Sequence, residues 1–355
     1  MQFHFRFALA LAAFFALNGC QTIGPGSVTR DRMAYATVIG ESWKEQMLLN
    51  IVKLRYLDTP VFVDVSSVIS SYTLQGEIDL AARIFPDSRS DSYRNLGASG
   101  LYSDRPTISY VPLSGERLVN SLLRPIPPET VFALIGGGGR ADFILRSAVQ
   151  AINGIYNVST SPSRARHEDP RFVQVAEAFR RIEEAGALGM RIEKASDRTR
   201  SFIVLRHGVD ESVDQDIALV KETLGLDPKA DTFRLVFGAA RGQAGEIAVL
   251  TRSMQALMGE LSTGVDIPAQ DLQDGRATSR GTPSGNAADA PLMSVRSGSE
   301  HPSDAFAAVQ YRGHWFWIDD RDLNSKRVFT FLMVFSSIAE TGAVPQVPVL
   351  TIPAN

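Results

Sequence analysis

The sequence predicts an α+β fold in which an antiparallel β-meander and hairpins pack against amphipathic helices, in two subdomains. Three observations carry this. Residues 171–185 and 211–224 repeat apolar side chains at helical spacing with charged residues between them. Residues 61–74 and 305–319 are rich in β-branched and aromatic residues. Gln75-Gly76 and Arg312-Gly313 each stand between two such runs, where hairpin turns belong.

The first element is a targeting segment. Phe7 to Leu17 is an apolar run of 11 residues behind Arg6, too short for a transmembrane helix of about 20 residues but the length of a secretory h-region. Leu17-Asn18-Gly19-Cys20 follows it, and these four residues resemble the lipobox of bacterial lipoproteins. The resemblance implies that residues 1–19 are a cleaved signal peptide, that Cys20 carries a thioether-linked diacylglycerol, and that its new amino group is acylated. In the lipoproteins it resembles, Asp after the cysteine retains the protein in the inner membrane; Gln21 here points to the outer membrane, facing the periplasm. A palmitate-type lipid anchor of two or more chains makes a lasting attachment, since each buried methylene contributes about 0.8 kcal/mol.

Composition fits an exported globular body. The 355 residues carry a formal charge of −3, with Lys and Arg dispersed among Asp and Glu, so no basic surface speaks for nucleic acid. Cys20 is the single cysteine, which leaves the mature fold to a packed core rather than to disulfides. The expected divisions are a tether over 20–40, an N-terminal α+β subdomain over 41–160, and a C-terminal one over 161–355.

Glu41 to Leu57 reads as an amphipathic helix through Trp43, Met47, Ile51 and Leu54, stopped by Asp58-Thr59-Pro60. Residues 61–74 and 77–85 then form a hairpin turning at Gln75-Gly76, and runs near Leu101 and over 107–111 complete the meander. Ser114 opens a helix with Leu118 and Leu122 on its buried side. Pro125, Pro127 and Pro128 end it and begin another over 128–135. Gly136 to Gly139 lacks the Lys-Ser/Thr of a phosphate-binding loop and reads as a flexible joint to a helix over 141–153, which Asn153-Gly154 ends. A polar connector, 159–170, precedes the second half.

There, helix 171–185 is followed by paired strands 190–195 and 202–207, helix 211–224, strand 233–237 and a helix over 245–261. Residues 268–289, rich in Gly, Ser, Pro, Ala and Asp, read as a disordered insertion, with a short strand at Leu292–Val295. The run 305–326 forms a hairpin about Arg312-Gly313 whose acidic end, Asp319 to Asp322, caps a helix over 322–338. A last strand spans 347–352. Over 305–326, with 246–264 and 125–154, the chain resembles a family of predicted bacterial lipoproteins. That resemblance implies an envelope address and supplies no catalytic or binding residue.

The candidate binding residues are His314, Trp315, Trp317 and Asp320, an aromatic strand ending in carboxylates. Strand alternation sends His314 and Trp315 to opposite faces, and the remaining histidines sit in polar surroundings without the spacing of metal ligands. No metal, no cofactor and no catalytic residue is therefore assigned; G-x-S-x-G is absent as well. The expected role is a non-catalytic binding or structural component in the periplasm, held to the membrane by its lipid and partnered by another envelope protein. The alternative is an envelope hydrolase that uses the acidic residues beside the aromatic hairpin.

Overall fold

The computed structural model of the chain describes residues 25–69, 72–83, 93–104, 107–159, 166–195, 198–240, 242–277 and 291–340. The fold is α+β, as the patterning predicts. It divides into two compact units, one made of Met1–Pro60 with Ser114–Asn355 and the other of Val61–Leu113. This corrects the expected division at 160/161. The main sheet of the larger unit takes strands from both sides of that point, so no boundary falls there.

In the larger unit, α1 (Pro25–Arg55) buries Met47, Leu48, Ile51 and Val52. The expected tether is thus helical from Pro25 onwards. Its stretch 32–42 is largely exposed, so no apolar stripe marks it in the sequence, and the helix there is propagated from the packed half behind it. After α2 (Gly115–Leu118) and a π-helical turn over Val119–Leu123 come α3 (Pro128–Gly136) and α4 (Ala141–Ala148). The glycines between α3 and α4 form a tight cap rather than a loose joint: Gly139 N–H donates to Leu134 O at 3.1 Å, and a Cβ on Gly139 would stand 2.7 Å from that same oxygen.

The main sheet has six strands. β5 (Val149–Ile152), β6 (Ile155–Tyr156), β7 (Leu188–Ala195), β8 (Arg198–Leu205), β9 (Thr232–Phe237) and β10 (Glu246–Thr251) lie in the order β6-β5-β10-β9-β8-β7. All pairs are antiparallel except β9 with β10. Two sequence expectations change here. Residues 149–152 follow α4 as a strand, and Asn153-Gly154, with φ of 45° and 83°, is the tight turn joining β5 to β6. Residues 246–251 are strand, not helix. β10 is the inner strand between β5 and β9, and Ile247, Ala248 and Val249 are all buried, so its apolar run is continuous from Ile247 to Leu250 and lacks the alternation of a half-exposed strand.

Helices α5 (Pro170–Glu184), α6 (Glu211–Leu224) and α7 (Met254–Ser262) begin on side-chain caps from Asp169, Asp210 and Ser253. α6 ends on Gly225 in the left-handed region, at φ 62°. Arg252, between β10 and α7, is 2% exposed and donates to the carbonyls of Arg146, Ser147 and Val158 at 2.8, 2.7 and 2.6 Å. These contacts knit α4 and the end of the β5–β6 hairpin to β10.

Residues 266–277 also depart from expectation. They include α8 (Ala269–Gln273), where Asp271 alone is buried, at 1% exposed, among exposed neighbours, so the first part of the expected disordered insertion is helical and held through that one side chain. Residues 278–290 and the last expected strand lie outside the described residues. β11 (Arg296–Gly298), β12 (Ala305–Tyr311) and β13 (His314–Asp319) make a small sheet in the order β11-β13-β12, and α9 (Leu323–Glu340) follows. Gly264 lies against the chain leading into β11. Val295 N–H donates to Gly264 O at 3.0 Å, and a Cβ on Gly264 would meet Met293 O at 1.7 Å.

The smaller unit contains β1 (Val63–Ile69), β2 (Tyr72–Arg83), β3 (Tyr93–Asp104) and β4 (Thr107–Pro112). β1 pairs with β4 and β2 with β3, all antiparallel. This is a nested hairpin instead of a meander. Gln75-Gly76 makes no turn: both residues lie within β2, with Gly76 opposite Gly100. The register is the same on either side of residues 70–71 and 105–106, with Ile69 opposite Thr107 and Tyr72 opposite Asp104.

Candidate functional site

The residues singled out by sequence lie on β13 and just beyond it. The turn Arg312-Gly313 has φ of 48° and 82°, so the hairpin predicted there is formed. Phe316 and Ile318 are buried, while His314, Trp315 and Trp317 are half-buried. Trp315 stacks edge-on against His301 with ring centres 4.4 Å apart, and Trp317 lies on Gly298, where a Cβ would come within 3.2 Å of the ring. The carboxylates beside them each have a separate partner. Asp319 pairs with Arg296 at 2.9 Å, Asp320 with Lys326 at 2.6 Å, and Asp322 caps α9 by accepting from Ser325 N–H at 3.0 Å. Asp320 is exposed. Among the described residues the three carboxylates are thus held by three different partners rather than turned toward one another.

What the structure does gather is a cluster that the sequence reading missed. Tyr56, at the end of α1, donates to Asp271 at 2.6 Å, and Arg276 closes on the same carboxyl at 3.1 Å. Beside it Tyr311 and Arg312 both donate to Asp58, the latter at 2.8 Å. The rings of Tyr56 and Tyr311 meet edge-on at 5.6 Å, and the guanidinium of Arg312 stands 5.0 Å from the centre of the Tyr56 ring. Burial and the Asp271 carboxylate push the Tyr56 phenol well above its usual range, and the Tyr311 phenol is raised by burial and by Asp58. The Tyr311 hydroxyl and Arg312 hold the Asp58 carboxyl below its usual value. Arg276 also pairs with Asp274 at 3.1 Å, and together these contacts fasten the hairpin and α8 to the end of α1.

A second group lines a cavity of about 630 Å³ at the corner of β8 and α6, among His207, Lys221, Glu222, Gly225, Asp227 and Pro228. Lys221 Nζ donates to His207 Nε2 at 2.9 Å, to Asp231 at 3.1 Å and to Pro228 O at 3.3 Å. Asp214 sits 3.0 Å from His207 Nδ1. His207 Nε2 also stands 3.3 Å from Asp231, so each ring nitrogen lies beside a carboxylate. Both ring nitrogens and the lysine ammonium therefore have protein partners. None of His314, Trp315, Trp317 or Asp320 lines this cavity.

Among the described residues no three His, Cys, Asp or Glu side chains stand close enough to hold a metal ion, and no helix is long and apolar enough to cross a membrane. No protein-family model, curated protein or solved structure matches the chain.

Proposed function

We propose that this chain is a lipid-anchored protein of the cell envelope, attached through Cys20 and acting on the periplasmic face of the outer membrane as a binding or structural component. The single observation that carries the address is the short apolar run Phe7–Leu17 leading into Leu17-Asn18-Gly19-Cys20, a hydrophobic segment of secretory length ending at the one residue a lipoprotein signal requires. The acyl chains would supply an attachment that the protein body itself does not need to provide.

The test is metabolic labelling with a fatty-acid analogue, combined with fractionation of cells making the native chain or Cys20→Ser. The native chain is expected to carry the label and sediment with outer membranes, and the variant to do neither. An unlabelled native chain overturns the proposal.

A further inference from the structure

We propose that the face of the main sheet turned away from the helices is a docking surface for the anionic headgroups of a phospholipid bilayer. The inference deepens the proposed envelope function and rests on its placing the chain at a membrane.

Register assigns the two faces, because residues directly opposed in a ladder share one. Arg191 is opposite Phe202, Phe202 is opposite Arg234, and Arg234 lies beside Glu246. Strand alternation adds Arg200 and Val204 on β8, and Glu193, opposite Arg200, on β7. Arg206, just past β8, belongs with them. A Cβ on Gly189, which is opposite Val204, would stand 3.7 Å from its guanidinium.

The alternate set is core. Ser201, Ile203, Leu205, Phe233, Leu235 and Ile247 are all buried, and α3 packs on β7, β9 and β10. On the other face Arg191, Arg200, Arg206 and Arg234 are exposed, with Phe202 and Val204 half-buried between them. Ala248 and Ala151, further along the same face, are buried, so its open part is β7 to β9. At the far edge Tyr156, opposite Ala151, carries the exposed Arg166 guanidinium 3.8 Å from its ring centre.

Charge selects the partner. Glu193 pairs with Arg191 at 3.1 Å and Glu246 with Arg234 at 2.7 Å, so five arginines face two glutamates. In the sequence these arginines are scattered among acidic residues between positions 166 and 234, and the sheet collects them. The helix side has the opposite balance: α6, packed against α5, sets Glu211, Asp214, Asp216 and Glu222 against Lys221. A negative surface therefore attracts one side of the sheet and repels the other. A second copy is the wrong occupant, since a two-fold contact sets the excess of arginine against itself. The arginines are spread across three strands and a sheet edge rather than around the cavity described above, a layout for a leaflet rather than for a small anion. The Phe202 ring, 5.4 Å from the Arg191 guanidinium, and the Tyr156 ring hold two of these cations on the sheet, where planar guanidinium groups take phosphate oxygens in pairs.

The experiment uses the full mature chain with Cys20→Ser, which leaves neither an anchor nor a native thiol. It is sedimented with vesicles of phosphatidylethanolamine alone or with one quarter phosphatidylglycerol. The anionic vesicles are expected to bind at least tenfold more tightly, and 0.5 M salt to weaken that binding severalfold. Each arginine near an anionic leaflet is worth roughly fivefold, so Arg200→Gln with Arg206→Gln is expected to lose tenfold or more at unchanged melting temperature. Arg171→Gln with Arg180→Gln on α5 makes the same change in net charge and is expected to lose less than twofold. A dye on Thr232→Cys is expected to be quenched by nitroxide-labelled headgroups, and one on Gln215→Cys of α6 to be spared. Equal binding to both vesicles, equal loss in the two double variants, or equal quenching at 215 and 232 overturns the assignment of this face. A single-stranded oligonucleotide bound as tightly as the anionic vesicles overturns the choice of a lipid partner. Because this protein lacks Cys20, the result is independent of the labelling test above, and either reading can fail alone.

Discussion

Tyr311 donates its hydroxyl to a carboxylate oxygen of Asp58 across 253 positions of sequence, pinning the tip of the β12–β13 hairpin to the residues that end α1. Together with Arg312 it holds the Asp58 carboxyl below the ordinary value of 3.8. A carboxyl depressed by folding contributes its full stability above its unfolded value, near 4, and loses it as pH falls through the folded value. The Asp58 side chain is 37% exposed, so solvent screening keeps the effect small. Melting temperature measured from about pH 5 down to about pH 2 is expected to fall more steeply in the native chain than in Asp58→Asn.

The neighbouring phenol works in the opposite direction. Burial and Asp271 raise the Tyr56 phenol above its ordinary 10, so its contribution is intact below that value and is lost as pH rises through the folded one. Tyr56→Phe is expected to flatten the alkaline fall in melting temperature above about pH 10. At neutral pH the variant loses the donor at 2.6 Å from the buried Asp271, an expected cost of about 1–3 kcal/mol by denaturant titration.

Arg252 is the joint of the main sheet. Arg252→Met keeps much of the volume but takes the guanidinium donor from the buried carbonyls of Ser147 and Val158, while Arg146 O still accepts from Asn157 Nδ2 at 2.8 Å, an expected loss of about 2–5 kcal/mol. Arg252→Lys is expected to recover only part of this, because one ammonium does not reproduce a planar fork aimed at three oxygens. Urea titration of the three proteins ranks them.

Two glycines separate space from propensity. Gly264→Ala drives a Cβ onto the Met293 carbonyl, a backbone atom with no side-chain freedom to yield, and is expected to cost about 3 kcal/mol or more. Gly259→Ala, within α7 and with nothing within 4 Å of the added carbon, is expected to stabilise by about 0.5–1 kcal/mol. Opposite shifts in melting temperature are the readout.

The parts of the fold legible in the sequence are those whose signal is local. Helices α5 and α6 show one apolar face and their own caps, and Arg312-Gly313 announces its turn because both residues take positive φ. β10 is hidden for a physical reason: an inner strand carries a continuous apolar run, and its Ile247 and Leu250 fall at helical spacing with Met254 and Leu257 of α7 across Thr251-Arg252-Ser253. The Asn153-Gly154 pair carried the right turn chemistry but was read as a helix end, since β6 is only two residues long. Gln75-Gly76 misled in the other direction, as a glycine inside a ladder that faces another glycine.

The clusters were the least legible of all. Tyr56 and Asp271 lie 215 residues apart, and Lys221 reaches His207 only because α6 returns along the end of β8. Nothing in the local pattern of either partner announces the other. His314, Trp315 and Trp317 drew attention by composition, and composition says nothing of which carboxylates stand beside them.

The strand order β6-β5-β10-β9-β8-β7 also sets a timetable for the chain as it is made. β5 is synthesised almost a hundred residues before β10, the strand that separates it from the rest of the sheet. Until Thr251 has emerged, the β5–β6 hairpin has no long neighbour and β9 has one edge bare. Synthesis stopped short of that point yields two pieces of sheet with no strand between them, so the sheet itself is completed late and in a single step.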